Sequence, residues 1–183
     1  HAQLTGGADT VGRDGDRAMD GLLSYAAEAG AELVVHHAAN FPDQPASEDR
    51  LLAETRSLAN AARLAERLGV AIAIENLAPV FPGPDALSFT PSVLRTMANR
   101  ISSPALGLCL DVGHANVVAD LRRTDPMELI EPALNHAVLF HLHDNFGARR
   151  GGTAPPELDP LRLDLHLPPG LVALLIVSYA TRP

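Results

Sequence analysis

The sequence predicts a parallel α/β fold, a partial (β/α)8 barrel, and three observations lead there. Four short apolar runs each end in His, Glu or Asp: "AELVVHHA" (31–38), "VAIAIENLA" (70–78), "ALGLCLDVGHA" (105–115) and "AVLFHLHDN" (137–145). Helical patterns lie between them. The polar ends recur regularly, 38 residues from His37 to Glu75, 36 from Glu75 to Asp111 and 30 from Asp111 to His141. That spacing suits the barrel's repeating unit of roughly 30 residues.

Runs this apolar are strands buried on both faces, as in a parallel sheet. Their alternation with helices gives βα units joined by right-handed crossovers. A doubly wound sheet is the structural alternative. No Gly-x-Gly-x-x-Gly follows a strand, which weakens its dinucleotide-binding version.

The elements follow in order. Residues 14–29 read as a helix that stops at Gly30. Residues 47–68 open with Ser47 as a helix cap and stop at Gly69; Leu51, Leu58, Ala61, Ala65 and Leu68 share one face. Thr90-Pro91 begins a third helix running to about Arg100, with proline in its first turn. Asp125-Pro126 begins a fourth, through about Asn135. The segment 146–170 is rich in Gly, Pro and Arg and reads as a long loop, a kind that often carries function. The closing "LVALLIVSYATRP" reads as one more strand with a short tail. The expected organisation is a partial barrel over 1–170 and an atypical C-terminal segment over 171–183.

Composition narrows the function classes. With 46% apolar and 20% charged residues, the chain is an ordinary globular one rather than disordered or fibrous. A net charge of −8 disfavours broad nucleic-acid binding, which needs a basic footprint. The single cysteine, Cys109, rules out a disulfide framework within the chain and fits a reducing, cytoplasmic compartment. The late apolar run from Leu171 to Val177 is too short to span a bilayer. The chain begins at His1 without Met, so the true N-terminus is expected to lie upstream.

In a parallel α/β fold the C-terminal strand ends share one face, where active sites form. This chain sends there His36 and His37, then Glu75, then Asp111 and His114, then His141, His143 and Asp144. Imidazoles and carboxylates are ligands for a borderline divalent cation such as zinc or manganese, and a cation offsets the repulsion between gathered carboxylates. Each residue alone has a plainer reading. One of His36 and His37 could be a surface residue and the other a satisfied core residue. Asp111 could simply cap a following helix, and His143-Asp144 could be a turn. Glu75, at the end of a buried strand, needs a partner. His136 precedes its strand and so belongs to the opposite end of the sheet. Four strand ends out of four favour a metal site.

The segments "AIENLA", "LDVGHAN", "FHLHDNFG" and "DLHLPPG" resemble motifs of the xylose-isomerase-like TIM barrels, from His1 to Gly170. That superfamily contains sugar phosphate isomerases and epimerases and the apurinic endonucleases. The resemblance implies that Glu75 binds metal and exchanges a proton, and that Asp111 and His141 are further metal ligands. It implies that His114 binds a substrate oxygen or an additional metal. His37 is similar to the family's strand-end histidine, with Ala38 in place of a proline, and His36 takes that place if the register slips by one. His1 matches an earlier strand end, and Asp164 and His166 match an Asp-x-His pair of a later loop; all three would bind substrate or additional metal. The family's last ligand is a glutamate late in the barrel, whereas no Asp or Glu follows Gly170 here. The chain is therefore expected to be a fragment, or to have an altered C-terminus. As given, it would lack one ligand and one catalytic acid and would expose barrel edges prone to self-association.

The resemblance thus implies a divalent-metal-dependent (Mn, Zn, Mg or Co) sugar or sugar-phosphate isomerase or epimerase. Its expected partners are a small sugar or polyol and further copies of itself in a homo-oligomer, with no membrane and with nucleic acid disfavoured. Two alternatives stand beside it. One is a zinc-dependent apurinic-type endonuclease, disfavoured by the acidic balance, by 4% aromatics without Trp, and by His143 where those enzymes favour Asn. The other is a degenerate, non-catalytic barrel that binds a sugar or a partner protein.

Overall fold

A computed structural model describes residues 13–37, 47–78, 90–142 and 172–174. In chain order the elements are α1 (Arg13–Glu28), β1 (Leu33–His37), α2 (Glu48–Leu68), β2 (Ala71–Glu75), α3 (Pro91–Ile101), β3 (Leu106–Asp111), α4 (Val112–Arg122), α5 (Pro126–Ile130), a 3₁₀ segment (Glu131–His136), β4 (Ala137–His141) and β5 (Val172–Leu174). The five strands form one sheet in the order β1-β2-β3-β4-β5, every neighbouring pair parallel. A doubly wound sheet reverses its strand order part-way. Here the order never reverses, which is the topology of a barrel wall.

Local chemistry sets the helix ends. Ser47 is the N-cap of α2, its side chain accepting from Arg50 N–H, and Gly69 closes the helix at φ 69°. Pro91 fills the first turn of α3, where its missing N–H costs nothing. Two expectations need correction. Helix α4 is expected only as the helix that Asp111 could cap and not as an element with bounds of its own; it starts at the residue after β3 with no linker between them. The segment from Pro126 is helical only to Ile130 and then tightens to 3₁₀. Pro132 accounts for this, because it has no N–H to continue the ladder and its ring crowds the carbonyl four residues back.

Strand alternation sorts the side chains. Ile74, Leu108, Leu110 and Phe140 join Leu58, Leu94 and Met97 of the helices in the main core. Val34 and Ile72 do the same in a second core beside Met19, Leu23 and Ala26 of α1 and Ala61 and Ala65 of α2. The opposite strand face carries Ala73, Cys109 and Leu139, with Leu33 and Val35 against them. That inward layer lies directly beneath the polar strand ends, since positions i and i+2 share a face.

A β-bulge fixes β4. Leu108 pairs with Ala137 but Cys109 with Leu139, so Val138 is the extra residue, and Asp111 comes opposite His141. Gly107 makes room for it. A Cβ there would meet both Val138 methyls, at 2.5 and 2.8 Å, and the His136 carbonyl oxygen at 3.2 Å. Gly107→Ala is expected to cost about 1–3 kcal/mol through this crowding, measured by urea denaturation. An unchanged midpoint would show that Val138 simply swings aside.

Among the described residues, no helix is long and apolar enough to cross a membrane.

Candidate metal centre

Three strands meet at Glu75. The carboxylate is almost fully buried, and each of its oxygens accepts from an imidazole: Oε2 from His37 Nε2 and Oε1 from His141 Nδ1, both at 2.8 Å. Carboxylates only accept, so those two nitrogens carry the protons. Register explains the meeting, because His37 pairs with Glu75 across β1 and β2, and Asp111 with His141 across β3 and β4. Asp111 Oδ2 lies 3.7 Å from His141 Nδ1 and 3.6 Å from His114 Nδ1. Burial raises the Glu75 pKa, but the hydrogen bonds from His37 and His141, with their charges, more than offset it, leaving it lowered to about 2.

Asp111 does two jobs. It is the N-cap of α4, with Oδ1 accepting from His114 N–H at 2.7 Å, while Oδ2 faces the imidazoles. The capping turn expected as one alternative is realised, and the second oxygen of the same carboxylate is left towards the imidazoles.

Asn76 is a residue whose part the sequence does not disclose, although "AIENLA" contains it. It is fully buried at the end of β2. Its side-chain amide donates to the Asp111 carbonyl at 2.9 Å, and its side-chain carbonyl accepts from Asp111 N–H at 2.8 Å. Its own backbone carbonyl accepts from His114 Nδ1 at 2.9 Å. Asn76 therefore ties the ends of β2 and β3 together and orients both Asp111 and His114. With Nδ1–H given to that carbonyl, neutral His114 carries its lone pair on Nε2.

The structure brings together His37, Glu75, Asp111, His114 and His141. His36 points the other way, its Nε2 3.8 Å from Glu54 Oε1 on α2, so the register is the one that sends His37 to the site. His136 bonds Asn99, away from the centre. His1, His143, Asp144, Asp164, His166 and the 146–170 loop lie outside the described residues.

Cys109 adds a further donor. Ligand atoms of Glu75, Cys109 and His141 all lie within 4.8 Å of one another, and so do those of Glu75, Asp111 and His114. Burial, then the charges of Glu75 and Asp111, push the Cys109 thiol well above its ordinary range. The donor set of carboxylate, carboxylate and imidazole is that of a borderline divalent cation, and the cluster fits one.

A family model described as the xylose isomerase-like TIM barrel matches residues 5–171. The chain belongs to this family. An uncharacterized protein of Methanocaldococcus jannaschii is 31% identical over 130 residues, covering 68% of this chain and 42% of the relative. The crystal structure of a D-tagatose 3-epimerase-like protein is 27% identical with a TM-score of 0.57, covering 71% of this chain and 48% of that one. The structure of the IOLI protein with a bound zinc atom is 19% identical with a TM-score of 0.53, covering 68% of this chain and 42% of that one. The chain spans less than half the length of each of these three proteins.

Proposed function

We propose that this chain is part of a divalent-metal-dependent isomerase or epimerase of a small sugar or polyol, working by proton transfer next to a carbonyl. One observation carries the reading. A buried carboxylate at the C-terminal strand ends is held through both oxygens by imidazoles of other strands, with a second buried carboxylate beside them. The likeness to a D-tagatose 3-epimerase-like protein and to a zinc-bearing relative supports the choice of chemistry.

Glu75, Asp111 and His141 would hold the cation. When bound, it would polarise the substrate carbonyl and fix neighbouring oxygens. The chain's own residues then have separate tasks. Glu75 is ionised at neutral pH and is the base that takes the proton next to the carbonyl. Its low pKa reflects two imidazole bonds. A substrate hydroxyl that draws His37 away from Oε2 removes one of them and strengthens the base. His37 and His114 are partly exposed and would orient substrate hydroxyls. Asn76 keeps Asp111 and His114 in place. The buried cysteine suits a reducing compartment, and we place the protein in the cytoplasm.

The test follows the substrate's α-proton by NMR in deuterated solvent, using the full-length protein with Mn²⁺ or Zn²⁺ and a panel of ketoses. Exchange is expected only in the presence of the cation. No exchange with any ketose, while metal is bound, would overturn the reading. Three zinc ions per chain with phosphodiester cleavage would replace it by the endonuclease.

A further inference from the structure

We propose that Cys109 gives this centre a sulfur donor, so that Glu75, Cys109 and His141 make a site preferring zinc-class over magnesium-class cations. The inference rests on the cation centre proposed above and extends it to the layer of side chains beneath.

Placement comes from the strands. Cys109 lies two residues before Asp111 on β3 and so shares its inward face. In register it pairs with Glu75 on one side and Leu139 on the other. It is fully buried, and its apolar neighbours are Ala73 and Leu139, with Leu33 and Val35 against them. Among the described residues of that layer, the thiol is the one side chain with a metal-binding atom, and it sits where Glu75 and His141 present theirs.

The distances allow a shared ion. A tetrahedral zinc with bonds of about 2.0–2.3 Å spaces its donors roughly 3.3–3.8 Å apart. The three donors already lie within 4.8 Å of one another, at most about 1.5 Å beyond that spacing. Sulfur discriminates among cations: it favours zinc, cobalt and cadmium, whereas magnesium and manganese prefer oxygen. As the metal–sulfur bond forms, the S–H bond breaks and its proton leaves to solvent. The proton that His141 Nδ1 gives to Glu75 Oε1 in the metal-free protein moves to Nε2, so that Nδ1 offers its lone pair to the same ion. A hard cation would use only the oxygen and nitrogen donors and leave the thiol protonated.

The experiment titrates the metal-freed full-length protein with Co²⁺ and reads the thiolate-to-cobalt charge-transfer absorption. Mn²⁺ binding is measured in parallel by calorimetry. The band is expected to grow to one equivalent in the wild type and to be absent from Cys109→Ser and Cys109→Ala. Zn²⁺ affinity should fall about tenfold or more in these variants, while Mn²⁺ affinity moves by less than about twofold. X-ray absorption of the wild-type zinc form should show one sulfur at about 2.3 Å. One equivalent of Co²⁺ bound without the band would overturn the sulfur ligand and leave the metal centre standing. No cation bound by the wild type would overturn both. The wild-type spectra decide the matter even where a variant fails to fold.

Discussion

Glu75→Gln is expected to abolish divalent-cation binding, by at least about 100-fold, and to lower the stability of the metal-free protein by on the order of 3 kcal/mol at pH 7. The stability figure follows from a carboxyl group held at about 2 against an ordinary 4.5, each unit being worth about 1.4 kcal/mol. Glutamine resembles the protonated acid. It would leave one of the two imidazole N–H groups, on His37 or His141, facing an amide NH₂ in a buried setting. The pH dependence has a definite sign. A depressed carboxyl contributes stability that is whole above 4.5 and drains away as pH falls towards 2. The gap between wild type and Glu75→Gln should therefore be full at pH 7 and narrow progressively below pH 4.5. Urea denaturation at pH 7, 4 and 3 measures it. Equal stability at pH 7, or a gap that does not shrink on acidification, would contradict the assigned hydrogen bonds.

The two-residue alternation of the strands makes much of the site legible in the sequence. "AIE", "CLD" and "FH" each put an apolar residue towards the helices and a polar one at the inward strand end, so Glu75, Asp111 and His141 can be read from spacing. His36 and His37 cannot be separated that way, because both are polar and only the pairing of Glu54 with His36 shows which faces the helices. Helix α4 is legible only as one of two readings of Asp111, because it has no separate cap sequence. Its cap is Asp111, the last residue of a strand. The part played by Asn76 is hidden for a different reason: side-chain-to-backbone bonds reaching 35 residues along the chain leave no local periodicity. Cys109 does leave a signal, since it stands two residues before Asp111. Its apolar neighbours in sequence mask it as ordinary strand interior. The bulge at Val138 is likewise unreadable, yet it decides that His141 rather than Phe140 comes opposite Asp111.

The double employment of Asp111 can be separated by two substitutions. Asp111→Asn keeps an oxygen able to accept from His114 N–H, so the cap of α4 survives and stability should stay within about 0.5 kcal/mol of wild type. It removes the negative charge beside His141 and His114, so divalent-cation affinity should fall by about 100-fold. Asp111→Ala removes both functions, and a further loss of about 1–2 kcal/mol is expected as the first turn of α4 loses its cap. Amide exchange should show the difference locally, with His114 N–H protected in the asparagine variant and exposed in the alanine one. Asn76 makes the comparison clean, because its bonds go to the Asp111 backbone and not to the side chain being changed. If Asp111→Asn bound cations as the wild type does, the carboxylate would be a helix cap alone, and the cation centre would have to rest on Glu75, His141 and the sulfur beneath them.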